Sequence, residues 1–453
     1  MGERKWTTSR AFLFAAIGSA VGLGNLWRFP YIAGENGGGA FILVYLACVM
    51  LFAVPLLMAE LTIGRLGQGS AVSSMRSLTK PKSLSRGWMG IGWLSILVPA
   101  VGLSYYSVVA GWSVAYMVLA VSGAFSGLDA TGSEETFADL TGSAPTMMAW
   151  HGVFMVTTVA IVARGLQRGV EQAVKILMPT LFLSLLALCV YAAVTADFVA
   201  GFTFMFSTDF SKITFESVLI AMGQAFFSVA VGVGAMVTYG AYLPKGIALP
   251  KAAFLIAGAD AAVAILAGLA IFPVLFAAGL QADQGPSLLF VTMPIAFGAM
   301  PMGAAFGALF FFLISIAGLT STIGMLEPVV SWLEEKRGFN RPVVAVVVGI
   351  LIWMAGLGSV LSFNVLSDSY VLDFWSVFEE KTIFDITDYI VANFLIPING
   401  LLISLYAGWA LNKSIAQKNL SLPSLAFLIW RLLVRFVAPI GLVTIIVIGV
   451  ATS

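Results

Sequence analysis

Five oxygen-bearing side chains lie inside long apolar stretches of this sequence, where polar groups are costly. They are Asn25, Ser228, Asp260, Thr320 and Ser321. Together they offer amide, hydroxyl and carboxylate oxygens without a thiolate or an imidazole, which favours a hard cation such as sodium over a transition metal. Asp260 is the most informative, because an ionisable group in an apolar run needs a partner and a bound cation would be one. The alternative is a protonated acid, hydrogen-bonded to a neighbouring helix.

Two glycine-containing segments accompany these side chains. Gly18 to Asn25 and Ser228 to Gly234 both contain Ala-Val-Gly-x-Gly. Glycines two apart weaken a helix and let the backbone unwind. The alternative is close helix packing, but packing motifs usually place small residues four apart on one face. Unwound backbone in a bilayer needs a ligand, and paired half-helices suit a carboxylate and a cation. We therefore expect an amino acid and sodium to bind here.

The rest of the chain explains how these segments are positioned. Its 453 residues are 60% hydrophobic and only 10% charged, with a mean hydropathy of +1.00, so the chain belongs in a membrane. Apolar runs of about 20 residues recur from end to end. They predict eleven spans, with centres near residues 20, 53, 105, 156, 183, 228, 264, 317, 350, 400 and 438. The first span is expected to be retained because no small-residue cleavage site follows the polar N-terminus.

Basic residues predict the orientation. They flank every second connection, whereas acidic residues such as Glu134, Glu135, Glu379 and Glu380 lie in the alternate ones. By the positive-inside rule the N-terminus is cytoplasmic and the C-terminus is outside, in a multi-pass protein of the cell inner (plasma) membrane. The basic set comprises Arg65, Arg76, Lys80, Lys82, Arg86, Arg164, Arg168, Lys245, Lys251, Lys336, Arg337, Arg341, Lys413 and Lys418.

Several classes of protein are disfavoured. Lys and Arg number 23 against 22 Asp and Glu, and no basic block is long enough to follow nucleic-acid phosphates. Cys48 and Cys189 lie in apolar runs and are expected to act as small hydrophobic residues. The single His151 is expected at a helix end, and it cannot complete a zinc site or a Ser/His/Asp set. The chain is therefore not expected to be an enzyme.

The glycine segments belong to a longer pattern that resembles the neurotransmitter:sodium symporter family. The pattern runs from Gly22 to Pro30 and from Glu35 to Phe41, and it covers most of the first eight spans. It continues in Pro55 to Glu60, Gly64, Arg65, Tyr105, Tyr106, Trp112, Ser228 to Gly234, Tyr239 and Ala317 to Ser321. The last three spans match more loosely, and eleven spans instead of twelve resemble the bacterial branch.

This resemblance implies an all-α LeuT-like fold, in which a 5+5 inverted repeat contains discontinuous helices 1 and 6. The whole chain, residues 1–453, would be a single transmembrane transporter domain. The first repeat would cover about 8–194, the second about 214–411, and an extra helix about 423–451. The expected activity is sodium-coupled symport by alternating access, and the alternative is an amino-acid sensor or channel on the same scaffold.

The resemblance also implies two sodium sites. The first would use Ala20, Asn25, Ser228 and Asp260 together with the substrate carboxylate. The second would use Gly18, Val21, Ala317, Thr320 and Ser321. Tyr106 would bind the substrate carboxylate beside the amides of Leu23 and Gly24. The remaining expected substrate-binding residues are Gly102, Phe227, Ser228, Ala230, Val233, Ser321, Gly324 and Met325.

Glycines at 102 and 324 would leave room for a large side chain, and this lining has no carboxylate to receive an amine. We therefore expect large neutral hydrophobic L-amino acids, including aromatic ones such as tryptophan. Tyr45, Gln224 and Ser228 match the family's halide-binding positions, but Ala264 stands where a hydroxyl would be. A carboxylate at Asp260 would supply the negative charge, which predicts transport without chloride.

The resemblance also implies a gate at each end of the transport pathway. Arg28 would form the outer gate with Asp385, and Asp388 is the rival partner. On the inner side Trp6 and a base at Arg4 or Lys5 would close over Tyr242 and Glu335. Gly169 and Pro179 would let the fifth span unwind to admit water to the second sodium, although Pro179 alone could be a simple kink.

Overall fold

The computed structural model describes residues 5–80, 85–244, 246–280 and 288–451, and its architecture is helical throughout. Nine helices in these ranges are long and apolar enough to cross a membrane, and one bent pair adds a tenth span. The helices are α1 (Ser9–Ala20), α2 (Gly24–Glu35), α3 (Gly39–Gly67), α4 (Arg86–Val121), α5 (Ala144–Ala163), α6 (Leu166–Thr195), α7 (Phe215–Ser228), α8 (Ala235–Ala241), α9 (Leu249–Ala277), α10 (Gly303–Lys336), α11 (Arg341–Leu361), α12 (Ile383–Ala410) and α13 (Ser424–Val450).

The first span is broken where the glycine pattern predicts. Helix α1 begins after Thr8, whose side chain accepts a hydrogen bond from the Ala11 amide, and it ends at Val21, where ψ is 109°. Helix α2 resumes at Gly24, and the two axes differ by 52°. The predicted loss of regular hydrogen bonding in this segment is confirmed.

The sixth predicted span is also broken. Helix α7 ends at Ser228, residues 229–234 are not helical, and α8 begins at Ala235. The φ angles of Ala230, Gly232 and Gly234 are 54°, 86° and 95°, in the left-handed region that glycine enters at little cost. The break leaves α7 only 14 residues long, too short to count as a span by itself. With this broken segment included, all eleven predicted centres fall within a helix, and the second predicted break is confirmed.

Buried polar side chains hold the second break in place. Glu60 on α3 accepts a hydrogen bond from the Gly232 amide at 2.5 Å. Asn399 on α12 donates one to the Gly232 carbonyl at 2.7 Å. These bonds satisfy one amide and one carbonyl of the unwound backbone, which would otherwise be costly to bury. Glu327 likewise joins helices by accepting from Tyr242 and pairing with Arg341.

The structure bears on two further predictions about helix ends and breaks, and it differs from the first. His151 lies in the middle of α5, not at a helix end, and it is fully buried with Nε2 3.0 Å from the Ser107 hydroxyl. Helix α6 stays coiled through Pro179. It begins with a wider turn, Leu166–Glu171, that includes Gly169. The proposed unwinding of this helix therefore stays a prediction.

Candidate functional site

The first cluster of predicted cation ligands assembles beside the break between α1 and α2. The side-chain nitrogen of Asn25 donates to the Ser228 hydroxyl at 2.9 Å and to the Asp260 carboxylate at 2.8 Å. The Ser228 hydroxyl donates to the other Asp260 oxygen at 2.6 Å. Asn25, Ser228 and Asp260 come from α2, α7 and α9, and each is at most 1% exposed. Three distant parts of the sequence thus meet at one buried point, where Ser228 and Asp260 provide oxygens. The Asn25 side-chain oxygen accepts instead from the Gly22 amide at 3.0 Å.

The electrostatics of this cluster favour a cation. Asp260 is fully buried, and among the described residues its carboxylate has only neutral hydrogen-bond donors. The third donor is the Tyr45 hydroxyl, 3.4 Å from the carboxylate. A buried carboxylate without a positive partner is expensive, so a bound monovalent cation would stabilise it. Ala20, the fourth predicted residue, lines the adjoining cavity.

The second cluster lies where α10 passes the end of α1. The Ser321 hydroxyl donates to the Val21 carbonyl at 3.3 Å. The Thr320 hydroxyl is 3.0 Å from the Ala317 carbonyl. Gly18 faces Thr320 so closely that a Cβ on Gly18 would lie 3.1 Å from the Thr320 Cβ. Four of the five residues predicted for the second sodium site therefore meet at this contact between α1 and α10, and Ala317 lies one turn before them on α10.

A polar corner joins the two clusters. The Leu23 amide donates to the Tyr106 hydroxyl at 3.0 Å, and this hydroxyl also contacts the Ser321 side chain. A Cβ on Gly22 would lie 2.6 Å from the Ser321 hydroxyl and 2.7 Å from that of Tyr106, so a larger residue here would displace one of these hydroxyls. Amide and hydroxyl donors that converge beside a cation site suit a carboxylate.

A mainly apolar cavity adjoins this corner. Nine of the eleven predicted substrate-binding residues line it: Gly24, Gly102, Tyr106, Phe227, Ser228, Ala230, Val233, Ser321 and Met325. Leu23 lines the neighbouring outer cavity instead. Sequence reasoning missed Val98, Pro99, Tyr105, Val391 and Ile396 as lining residues, together with Ser19 and Gly22. Val391 and Ile396 are ordinary apolar residues of α12, which matched the family only loosely.

The two glycines that were expected to leave room behave differently. A Cβ on Gly102 would lie 3.8 Å from a Val391 methyl group, an ordinary van der Waals contact, so this glycine is not required by close packing. A Cβ on Gly324 would collide with the Ser19 side chain. Gly324 therefore permits close approach of α1 to α10, and in this arrangement it does not enlarge the cavity.

The outer cavity, about 320 Å³ in volume, contains Arg28 and both candidate acids. The Arg28 guanidinium lies 4.8 Å from the centre of the Phe227 ring. Asp388 attracts Arg28 electrostatically and accepts a hydrogen bond from the Tyr105 hydroxyl. Asp385 instead caps the start of α12, accepting from the Thr382 amide at 3.0 Å and its hydroxyl at 2.7 Å. This geometry favours Asp388 over Asp385 as the partner of Arg28.

The opposite end is closed by aromatic and charged contacts. Trp6 is 2% exposed, and its ring nitrogen donates to the Tyr239 carbonyl at 3.2 Å. Its backbone amide donates to the Tyr242 carbonyl at 3.1 Å. Glu335 accepts from the Ser70 amide at 2.6 Å, so it holds a neighbouring turn. Arg4, the other candidate base, lies outside the described residues.

Comparisons with known proteins agree with this architecture. The sequence profile described as "Sodium:neurotransmitter symporter family" matches residues 3–131 and 140–453. The sodium-dependent transporter YhdH of Bacillus subtilis is 37% identical over 450 residues, covering 98% of this chain and 97% of that protein. A sodium-dependent transporter of Haemophilus influenzae is 31% identical, with 98% of each chain covered.

A solved structure gives the same result for the fold. The crystal structure of MhsT in complex with L-phenylalanine matches with a TM-score of 0.88 at 37% identity. The match covers 98% of this chain and 99% of that one. The expected all-α LeuT-like architecture with two discontinuous helices is thereby confirmed.

Proposed function

This chain belongs to the sodium:neurotransmitter symporter family, and from that premise we propose that it imports large neutral hydrophobic L-amino acids with sodium. It is a multi-pass membrane transporter and not an enzyme. The observation that carries the specific proposal is the meeting of the buried Asp260 cluster, the Tyr106 corner and an apolar cavity at the two broken helices.

Two sodium ions would serve as co-transported cargo. Asn25, Ser228 and Asp260 with the Ala20 carbonyl would bind one ion, next to the substrate carboxylate. The second cluster, which includes Thr320 and Ser321, would bind the other ion and thereby link α1 to α10. Each charge that crosses 100 mV supplies about 2.3 kcal/mol, so two ions with a zwitterion supply about 4.6 kcal/mol before any concentration gradient. This energy would support steep accumulation of substrate.

The proposed substrate class follows from the cavity. Its lining has no acidic or basic side chain, so a charged substrate side chain would lose its hydration without compensation. The lack of a side chain at Gly102, which lines this cavity, would leave room for a large ring. The related MhsT structure contains L-phenylalanine, and we carry that substrate class, with tryptophan included, to this chain as part of the proposal.

We further propose that chloride is not required. Asp260 places a fixed carboxylate 2.6 Å from the Ser228 hydroxyl and within reach of Tyr45, two of the halide-matching positions. Gln224, the third, donates to the Gly24 carbonyl at 3.0 Å. A carboxylate at this place would balance the first sodium ion as a halide would. Wild-type uptake that disappears in chloride-free buffer would contradict this part.

Alternating access would use the gates at either end. Arg28 and Asp388 would close the outer cavity over the substrate, whereas release of Trp6 from Tyr239 and Tyr242 would open the inner end. The predicted orientation in the plasma membrane places Trp6 on the cytoplasmic side. Substrate would therefore enter through the Arg28 cavity and leave past Trp6.

The proposed specificity is tested by competition. Purified protein in proteoliposomes takes up labelled tryptophan in sodium buffer, and each of the twenty amino acids is added in excess. Phenylalanine, leucine, methionine and similar residues are expected to compete, whereas lysine, aspartate and glycine are not. Strong competition by a charged amino acid would refute the proposed substrate class, and uptake that persists when choline replaces sodium would refute the coupling.

A further inference from the structure

Two arginines on the last helix have no acidic partner among the residues that the structure describes. Arg431 and Arg435 lie four residues apart on α13, so their side chains project from one face. The sequence contains no Asp or Glu after Asp388, although Lys413, Lys418 and these two arginines follow it. Among the described residues neither arginine forms a salt bridge. Arg431 is instead repelled by the like charge of Arg435.

The contacts of these side chains leave hydrogen-bonding capacity unused. The Arg435 Nε donates to the Gly408 carbonyl at 2.6 Å, and the guanidinium lies 4.6 Å from the Trp409 ring centre. The Arg431 guanidinium lies 6.0 Å from the Phe427 ring centre. The Arg431 Nη1 is buried and has no hydrogen-bond partner within the described ranges. A buried guanidinium nitrogen without an acceptor is costly, so an anion would stabilise it.

The surroundings of this pair are typical of the region near the surface of a membrane. Arg435 is level with the last turn of α12, because its Nε contacts the Gly408 carbonyl and α12 ends at Ala410. Arg431 lies one turn nearer the start of α13. Exposed apolar side chains surround both arginines: Trp409 (53% exposed), Leu428 (53%), Leu432 (46%) and Phe436 (46%). Such a mixture of exposed aromatic, aliphatic and basic groups is typical of the zone where lipid headgroups meet acyl chains.

We propose that Arg431 and Arg435 form a binding site for the phosphate of an anionic phospholipid in the adjacent leaflet. The two guanidinium groups would share the phosphate, which relieves their mutual repulsion and provides an acceptor for the Arg431 Nη1. The lipid tails would lie along Leu428, Leu432 and Phe436. The site is separate from the broken helices and from the gates.

The test uses the full chain, purified in detergent and titrated with phosphatidylglycerol or phosphatidylcholine. Native mass spectrometry counts the bound lipid at each concentration and so gives the affinity for each lipid. Wild type is expected to bind phosphatidylglycerol more tightly. Arg431→Gln is expected to weaken that binding about fivefold, and the double variant with Arg435→Gln about 25-fold, from about 1 kcal/mol per base near the surface. The matched control, Lys413→Gln with Lys418→Gln, removes the same charge nearby and is expected to change the affinity less than twofold.

Several outcomes would overturn the proposal. Equal affinity for both lipids would do so, as would unchanged phosphatidylglycerol binding in Arg431→Gln, a variant that removes no hydrogen bond among the described residues. Full competition by millimolar inorganic phosphate would show a site for free anions instead of lipid. Arg431→Lys with Arg435→Lys, which keeps both charges, is expected to retain most of the affinity. Loss of binding in that variant while thermal unfolding stays unchanged would refute a charge-based site.

Discussion

Substitution of Gly102 by valine tests the size of the cavity most simply. A Cβ at this position meets only a Val391 methyl group, at 3.8 Å, so the new side chain should fold without a clash. Its two methyl groups would extend into the space that a large substrate ring needs. If they exclude two to three carbon groups of the substrate from contact, the loss is about 2 kcal/mol at about 0.8 kcal/mol per group. That corresponds to about a 30-fold loss for tryptophan.

The assay measures KM and maximal uptake of labelled tryptophan and labelled valine in proteoliposomes. Valine is expected to lose less than threefold, because its side chain need not reach Gly102. The matched control is Gly258→Val on α9, an exposed position with nothing within 4 Å of the added Cβ. Equal losses for the two substrates would refute the reasoning, and so would a similar loss in the Gly258 control.

Three further predictions concern the ion sites and the outer gate. Asp260→Asn should raise the sodium concentration for half-maximal uptake at least tenfold, since it removes the only carboxylate of the first cluster; an unchanged sodium curve would contradict the assignment. Thr320→Val should raise the sodium concentration for half-maximal uptake about fivefold. Thr322→Val should leave it unchanged, because the Thr322 hydroxyl faces a threonine of α5. A larger effect of Thr322→Val than of Thr320→Val would contradict the second site. Asp388→Asn should lower uptake more than tenfold, and equal uptake by wild type and Asp388→Asn would remove Asp388 from the gate. Asp385→Asn should mainly lower the stability, by about 0.5 kcal/mol, because it removes a negative charge from the first turn of α12.

The sequence was most informative where local chemistry alone determines structure. Glycines two apart in an apolar run gave both breaks, because glycine lowers helix stability and tolerates the φ values found at Gly232 and Gly234. Asp260 could likewise be singled out, since a carboxylate in an apolar run requires a partner. Its convergence with Asn25 and Ser228 depended on the family resemblance.

The sequence was less informative where the outcome depends on packing between helices. Asp385 and Asp388 are one turn apart on α12, and only the position of Thr382 and Tyr105 distinguishes a helix cap from a partner of Arg28. Gly324 looked like free space, but the close approach of Ser19 fills it. Such contacts depend on side chains from distant spans, whose relative heights no local pattern specifies.

Bound sodium should drive substrate uphill through the site at the broken helices. The most direct measurement is uptake of labelled phenylalanine into proteoliposomes under an imposed inward sodium gradient. We predict a transient internal concentration well above the external one, which collapses when a sodium ionophore is added. Equilibration without accumulation would indicate a channel, and sodium-dependent binding without any uptake would indicate a sensor. Either result would contradict sodium-driven transport.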